Sequence, residues 1–484
     1  MPAYATLSVS GIGSTATERD VRRHFERVLP GCEPVVSDLV RDPHNGTKVT
    51  TVTFKRKSKQ ACKIAITKLK DERKMIDAVA FSYNLAFSQS FLDLTLLASR
   101  SSEPTFDVYL VHGLGGFAFK SFASRPRDHK RVQMWPRDFL PDVLDDPTLG
   151  SGRYLTFGYR APIMDSDRIT ESIKETAQNL LRAIVQERGV NCQRPLFFVC
   201  HSLGGLVVAQ AILLLLRDQE IGTELWEFQK VLCPSGDCLV KGITFFGTPF
   251  RGSSLANLLA KISTVLRLPL NRSHIMSLRV KDEDVARIVD EFKRRSSEIK
   301  LPLLTFFELL PEKLGIFKRQ VVSRDSAKGL GDPVRAIGLM ESHRGMVKFK
   351  SAQERVFRKN VAPAIRDVVH TALRDYRLGD QAAQRATLLA TLPQRHQRLL
   401  QLPQEEESRP PVPKQQEIVK GGLDHSRQQL VFKRTFSDRE IHWLNDLEVE
   451  LRFNHDPLQL GRKERMEVSP GSCQWILEKT QYQA

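Results

Sequence analysis

The chain has 484 residues, of which 41% are hydrophobic, so it can bury a substantial core and is not disordered as a whole. Lysine and arginine outnumber aspartate and glutamate by 73 to 56, a balance that favours anionic partners such as nucleic acid or acidic lipid surfaces. No apolar run reaches the length of a membrane span.

Residues 1–100 predict a small α+β domain. Strand-like runs occur at residues 7–12 and 49–54, and Thr17 is placed to cap a helix whose apolar residues follow helical spacing. A second helical pattern covers residues 58–71. This order of elements predicts a ferredoxin-like βαββαβ unit, which resembles an RNA-recognition module.

The predicted sheet lacks the side chains with which such modules hold RNA. RNA-binding sheets stack bases on aromatic residues of their two central strands. The corresponding positions here are occupied by Ser8, Val49 and Thr51. We therefore expect a structural or protein-contact role for residues 1–100 and do not expect nucleic-acid binding.

A second domain is predicted from residue 101 to residue 375, and its first strand leads into a glycine-rich loop. The buried-strand pattern at residues 106–111 ends in His112, Gly113 and Leu114, followed by two more glycines. Glycines let the backbone approach a substrate oxygen closely. The Leu114 N–H is therefore a candidate donor to an oxyanion.

The strongest signal for chemistry is a serine in a strand-turn-helix context. The buried-strand pattern at residues 196–199 is followed by Ser202, in a turn closed by Gly204 and Gly205, and then by an apolar helix. A strained turn of this kind exposes the serine hydroxyl and directs the next N–H, that of Leu203, at a developing oxyanion. The pattern predicts an α/β-hydrolase with a mostly parallel sheet covered on both faces.

Further elements of the second domain follow in the order that this fold requires. Strands are predicted at residues 154–157 and 240–246, with a helix that starts at Asp165 between the first of them and the serine. Residues 253–300 are helical in pattern. This insertion either forms a lid over a pocket or simply covers the sheet.

The general base must follow the serine in this fold, and His343 fits that requirement. It lies in a polar loop beyond the last predicted strand, at residues 319–323. A histidine accepts a serine proton well at neutral pH because its ordinary pKa lies near that range. His112 is the rival, although its place in the oxyanion loop suits a structural role better.

Two carboxylates are candidates for the third catalytic group. Glu308 ends the strand predicted at residues 303–307, the position after which the fold normally supplies the acid. Asp325 lies nearer in sequence to His343 and can also reach it. Topology favours Glu308, and the other residue would most simply bind loop backbone.

Between residues 106 and 374 the sequence resembles the lipase-like α/β-hydrolases related to the serine-active-site-containing proteins, in particular their fungal versions. The matching motifs are H-G-L-G-G, W-P-R-D-F-L-P, L-T-F-G-Y, C-H-S-L-G-G, F-F-G-T-P-F-R-G-S, F-F-E, V-V-S-R-D-S-A and S-H-R. The resemblance implies the roles given to Ser202 and His343. It departs at Cys200, usually glycine, and Phe250, usually histidine, and Cys200 raises the prospect of strain or weak activity.

The final segment, residues 376–484, predicts a linker and a partly helical tail. It is rich in Gln, Arg, Pro and Glu. Residues 451–477 resemble the lead-in to a NACHT domain of fungal receptor-like proteins. The chain contains no G-x-x-x-x-G-K-[ST] motif, so we expect no nucleotide binding by that route.

These features predict a serine esterase or lipase that acts on a carboxylic ester or a lipid and needs neither metal nor organic cofactor. An anionic membrane surface and a protein partner of the N-terminal domain are further expected contacts. The alternative is a weakly active or inactive hydrolase fold that serves as a signalling module in a NACHT-type receptor system. Scattered cysteines and the absence of a signal peptide predict an intracellular location, cytoplasmic or on a mitochondrial or endoplasmic reticulum membrane.

Overall fold

The computed structural model describes residues 3–31, 33–42, 45–56, 81–88, 91–113, 115–124, 132–159, 169–189, 191–217, 221–250, 282–314, 317–319, 321–322, 329–331 and 334–391. The chain divides into two units, Met1–Leu402 and Pro403–Ala484. The second unit lies outside the described residues, and so do the predicted helix at residues 58–71 and residues 253–281 of the predicted insertion.

The N-terminal part forms a sheet with one described helix. Its elements are β1 (Ala3–Ile12), α1 (Glu18–Val28), β2 (Glu33–Val36), β3 (Val40–Arg41), β4 (Lys48–Arg56) and β5 (Phe81–Ser88). The strand order is β2-β4-β1-β5, with β3 beside β4, and every pairing is antiparallel. The predicted strands at residues 7–12 and 49–54 are therefore confirmed.

Local sequence explains where α1 begins and which face it buries. The hydroxyl of Thr17 accepts from the Asp20 N–H, and the Asp20 carboxylate accepts from the Thr17 N–H at 2.9 Å, which is a capping box. Val21 and Phe25 are fully buried, and the Phe25 ring contacts the Phe54 ring edge to face at 5.3 Å. The helix thus packs on one face of the sheet, as its helical spacing predicts.

The larger domain alternates strands and helices. Its strands are β6 (Asp93–Ser99), β7 (Phe106–Val111), β8 (Ala123–Ser124), β9 (Gln133–Met134), β10 (Gly152–Gly158), β11 (Leu196–His201), β12 (Val240–Phe246), β13 (Leu303–Glu308), β14 (Glu312–Leu314), β15 (Phe317–Arg319) and β16 (Arg335–Leu339). Its α-helices are α2 (Trp135–Asp138), α3 (Leu140–Leu144), α4 (Ile169–Arg188), α5 (Gly204–Leu216), α6 (Glu224–Leu232), α7 (Asp282–Glu298) and α8 (Ala362–Thr391).

Seven of these strands form one sheet, in the order β16-β13-β12-β11-β7-β10-β6. All neighbours pair in parallel except β6, which runs antiparallel to β10 at the edge. The predicted α/β class with a mostly parallel sheet is confirmed. Residues 93–99 lie before the predicted domain boundary at residue 100, and the structure places them in this larger sheet.

Side chains alternate between two apolar layers, one on each face of the sheet. In β7, Tyr109 and Val111 join the layer under α4 and α5, whereas Val108 and Leu110 join the layer under α2, α3 and α8. All four side chains are at most 1% exposed. Strands buried on both faces read as continuous apolar runs, which is why the sequence locates them well.

The smaller sheet contacts the larger domain through a polar layer. Thr51 and Thr53 on β4 are 2% and 6% exposed. A guanidinium nitrogen of Arg137, on α2, donates to the Thr51 hydroxyl at 2.5 Å. Because alternate residues of a strand point to opposite faces, these threonines lie on the face opposite Val52 and Phe54. The larger domain therefore covers this face of β4 at Thr51.

One sequence-based prediction about the larger domain is wrong. The last strand of the sheet is β16, not residues 319–323. Arg319 ends β15 in a two-stranded hairpin with β14, and Val321 and Val322 lie in a bend. The helix α8 continues past residue 375 to Thr391, into the segment predicted as a linker and a partly helical tail. Among the described helices, none combines the length and apolarity that a membrane crossing requires.

Candidate active site

Ser202 occupies a sharp turn between β11 and α5. Its φ angle is +55°, in the left-handed region that is costly for a residue with a Cβ. The surroundings hold this conformation, since the Ser202 N–H donates to the Phe246 carbonyl at 2.8 Å and the Thr248 hydroxyl donates to the Ser202 carbonyl at 3.1 Å. A strained serine held in this way at the end of a central strand is the geometry of a nucleophile elbow.

The elbow requires glycine at three neighbouring positions because backbone segments approach closely there. A Cβ on Gly113 would lie 2.7 Å from the Ser202 Cβ, and one on Gly204 would lie 2.3 Å from the His112 carbonyl oxygen. A Cβ on Gly205 would lie 2.2 Å from the Thr248 hydroxyl. The three predicted glycines thus bring the loop after β7 against the elbow.

The two backbone segments predicted to form the oxyanion site meet at this contact. The Leu203 nitrogen lies 3.3 Å from the Cβ position of Gly113, so the loop and the first residue after the serine are adjacent. Leu203 also precedes the first residue of α5, whose N-terminus attracts negative charge. Leu114 lies outside the described residues.

His343 and Glu308 meet beyond the carboxyl ends of the strands. The His343 Nδ1 lies 3.4 Å from Oε2 of Glu308, which is wholly buried at the end of β13. The other carboxylate oxygen of Glu308 accepts from the N–H groups of Val321 and Val322, at 3.0 and 2.5 Å. These bonds fix the carboxylate and leave one oxygen directed at the imidazole.

The loop of His343 is attached to the strands that flank Ser202. Nε2 of His201 donates to the His343 carbonyl at 2.9 Å, and the two rings lie 5.0 Å apart. A Cβ on Gly247, which directly follows β12, would lie 2.9 Å from His343 Cε1. Within the part of the chain that the structure describes, Nε2 of His343 is buried and accepts or donates no hydrogen bond. This nitrogen is therefore available to a hydroxyl.

His112 has a different environment from His343. Its ring stacks on Tyr159 at 4.3 Å, and its Nδ1 donates to the Gly113 carbonyl at 2.9 Å. Burial lowers the pKa of His112 to about 4, so the ring is neutral at physiological pH. These contacts hold the loop after β7, which agrees with the structural role preferred for this residue.

A serine elbow at the end of β11, together with this strand order, is the arrangement of an α/β-hydrolase. No protein-family model matches the chain. Protein SERAC1 of Bos taurus is 29% identical over 253 residues, which cover 48% of this chain and 35% of the bovine protein. Protein SERAC1 of Homo sapiens is 27% identical over 251 residues, with coverage of 48% and 35%. The chain thus spans about a third of the length of these curated relatives.

Solved structures with detectable similarity include a lipase-esterase related protein from Clostridium acetobutylicum and a candidate epoxide hydrolase from Pseudomonas aeruginosa. The first has a TM-score of 0.32 and 12% identity and covers 57% of this chain and 99% of that chain. The second has a TM-score of 0.29 and 12% identity and covers 58% and 97%. At these scores, the fold assignment rests on the strand order and the elbow.

Cys200 and Phe250, the two departures from the resembled pattern, are core residues. Cys200 is fully buried in β11 between Val111 and Phe245, and burial raises the pKa of its thiol well above the usual range. The Phe250 ring contacts the Phe245 ring edge to face at 4.9 Å. Both side chains therefore add to the apolar layer under α5.

Sequence reasoning missed Glu312 and His201, which contact the loop of His343. His201 adjoins the serine in the sequence, and this adjacency is a usable signal. Glu312 has no such signal, since its contacts depend on the hairpin of β14 and β15. Asp325, the rival acid, lies outside the described residues. Among the residues that are described, no group of three His, Cys, Asp or Glu side chains is placed to hold a metal ion.

Proposed function

We propose that this protein is a serine hydrolase that cleaves carboxylic esters, with Ser202 as nucleophile, His343 as general base and Glu308 as the orienting acid. The observation that carries the proposal is the state of His343. Its Nδ1 faces a fixed, buried carboxylate, and its Nε2 is buried next to the strand ends that hold Ser202, with no hydrogen-bond partner among the described residues. The strained φ of Ser202 supports the same reading.

In the proposed reaction, the Ser202 hydroxyl oxygen attacks the ester carbonyl while Nε2 of His343 takes its proton. The carbonyl oxygen becomes an oxyanion, which the Leu203 N–H, the N-terminus of α5 and the Leu114 N–H stabilise in this proposal. Collapse expels the alcohol, which receives the proton from His343. A water molecule then attacks the carbonyl of the acyl group on Ser202 while Nε2 of His343 takes its proton. Collapse of this second oxyanion releases the carboxylic acid and returns the proton to Ser202.

Glu308 is preferred over Asp325 because its geometry suits an orienting carboxylate. Two backbone N–H groups hold one oxygen, so the other faces the Nδ1–H of His343 and selects the tautomer with a free Nε2. The buried carboxylate also stabilises the imidazolium that forms when the serine proton is taken. Asp325 takes no part in the catalytic set of this proposal.

The chemical class of the ester and the surroundings of the enzyme are also proposals. The resemblance to lipase-like proteins supports a lipid ester, and the excess of basic residues supports contact with an anionic membrane surface inside the cell. For the N-terminal part, we propose a ferredoxin-like domain that contacts protein. The antiparallel order β2-β4-β1-β5, with α1 between β1 and β2, supports it. The fungal and NACHT-associated origin of the tail stays a prediction.

The proposal is tested with a fluorophosphonate probe, which reacts covalently with activated serines. We expect wild-type protein and a Ser102→Ala control, at an exposed serine, to be labelled equally. Ser202→Ala and His343→Ala proteins should not be labelled. Turnover of short and long acyl esters by the labelled variants would then define chain-length preference. Folded wild-type protein that resists the probe and hydrolyses none of the esters would refute the proposal and favour the signalling alternative.

A further inference from the structure

A carboxylate outside the proposed catalytic set binds both neighbours of His343. Oε1 of Glu312, the first residue of β14, accepts from the Ser342 hydroxyl at 2.9 Å and from the Arg344 N–H at 2.7 Å. Its Oε2 pairs with the Arg344 guanidinium at 3.3 Å. His343 is therefore held on each side by a bond to one buried side chain.

Glu312 itself is firmly placed. It is 4% exposed, and it is paired with Arg319 in the register of the β14–β15 hairpin. Burial alone would raise the pKa of this carboxyl, but the bonds from Arg344 and Ser342 outweigh burial and hold the pKa below its usual value. The carboxylate is thus ionised at neutral pH, and charge-assisted bonds of this kind are stronger than neutral ones.

The same hairpin serves both members of the His343–Glu308 pair. Glu312 opens it and fixes the histidine loop, while Val321 and Val322, just beyond its second strand, donate to Glu308. The contact between Nδ1 and the Glu308 carboxylate is already long, at 3.4 Å. A small shift of the loop would therefore break it.

We infer that Glu312 is a positioning residue that sets the distance between His343 and Glu308 through Ser342 and Arg344. The inference rests on the proposed hydrolase function for its effect on turnover. Glu312 touches neither the reacting serine nor the imidazole in the contacts described, so its effect is on the placement of the base. A base displaced from its partner lowers the rate of the chemical step more than it weakens substrate binding.

The test compares Glu312→Ala with Glu312→Gln, and with Glu341→Ala as the matched control in the same loop. The glutamine amide oxygen can accept both bonds that Oε1 accepts, whereas alanine accepts neither. We expect kcat to fall about tenfold or more in Glu312→Ala with KM changed less than about threefold, and to recover to within about threefold of wild type in Glu312→Gln. Glu341→Ala should stay within about twofold of wild type.

A second readout does not depend on turnover. The proton between Nδ1 of His343 and the Glu308 carboxylate should give a proton resonance downfield of the amides that His343→Ala removes. We expect it in wild type and in Glu312→Gln, and we expect its loss in Glu312→Ala. If Glu312→Ala does not fold, as judged by thermal denaturation, Ser342→Ala is the second variant. It removes one of the bonds to Glu312 and the 3.3 Å bond from the Gly345 N–H, keeps the bond from the Arg344 N–H, and should shift the resonance and lower kcat.

Two results would overturn the inference. One is a folded Glu312→Ala protein with the kcat and the downfield resonance of the Glu341→Ala control. The other is a Glu312→Gln protein as slow as Glu312→Ala, since the two bonds would then not explain the effect. A wild-type protein that shows the resonance but no turnover would refute the hydrolase function alone, and the resonance would still measure the role of Glu312.

Discussion

Replacement of Glu308 by glutamine makes the sharpest prediction about the site. Among the described residues, the oxygens of Glu308 accept from the N–H groups of Val321 and Val322 and face the imidazole of His343. Glutamine has one oxygen and one NH₂ group in their place. The two backbone donors outnumber the imidazole, so we expect the amide oxygen to face the valines and the NH₂ to face His343.

This orientation changes the tautomer of His343. An NH₂ group beside Nδ1 requires Nδ1 to accept, which moves the ring proton to Nε2, where it can no longer take the proton of Ser202. A wrong tautomer with intact geometry costs about 10³- to 10⁴-fold in kcat, or about 4 to 5.5 kcal/mol of transition-state stabilisation. Folding should be affected far less, because both valine N–H groups remain paired.

The assay is kcat/KM on a soluble ester for Glu308→Gln and for Asp325→Asn, with thermal unfolding as a check on structure. We expect Asp325→Asn to stay within about threefold of wild type, since a residue outside the pair changes little. The reasoning is refuted if Glu308→Gln retains more than about a tenth of wild-type activity. It is also refuted if Asp325→Asn loses more activity than Glu308→Gln does.

Three further predictions follow from the elbow and its loop. Ser202→Gly and Ser202→Ala should both be inactive. The glycine variant should be more stable than the alanine variant by about 1 kcal/mol in urea unfolding, because glycine relieves the strain of the φ of +55° that alanine keeps. Equal unfolding midpoints for the two variants would contradict the strain at this position. Gly113→Ala adds a Cβ 2.7 Å from the Ser202 Cβ, so we expect turnover to fall at least about 100-fold and the free energy of unfolding to fall by about 1–3 kcal/mol. Normal turnover of this variant would contradict the close contact. Burial lowers the pKa of His112 to about 4 from an ordinary 6.5, so its contribution to stability is complete above 6.5 and is lost as pH falls toward 4. Between pH 7.5 and 5, wild type should lose about 2 kcal/mol more than His112→Gln in urea unfolding, and parallel pH profiles would argue that His112 is not buried and neutral.

Local sequence determined the central strands and the turn at Ser202. Residues 196–199 are a continuous apolar run, which the structure extends to His201 as β11, and the strand predicted at residues 240–246 coincides with β12. The sequence also placed Glu308 at the end of a buried strand, as the structure has it. Burial on both faces gives a strand a mostly apolar sequence, so these elements can be predicted without tertiary information.

Elements at the edge of the sheet could not be predicted in this way. Val321 and Val322 have the composition of a strand, yet their N–H groups bind the Glu308 carboxylate. The true last strand, β16, contains a glycine and is only partly buried, and its backbone bonds to β13 decide its conformation. Likewise, antiparallel pairing with β10 decides the place of β6.

The sequence by itself thus determined the class of fold and the candidate nucleophile, because both depend on apolar periodicity and on small residues at fixed local spacing. Only the tertiary structure showed that Glu308 contacts His343 and that Glu312 binds the residues on either side of His343. The physical reason is that these contacts join polar side chains to backbone groups far away in sequence. The sequence around a carboxylate does not indicate which N–H groups it will bind, because packing of the chain decides these partners.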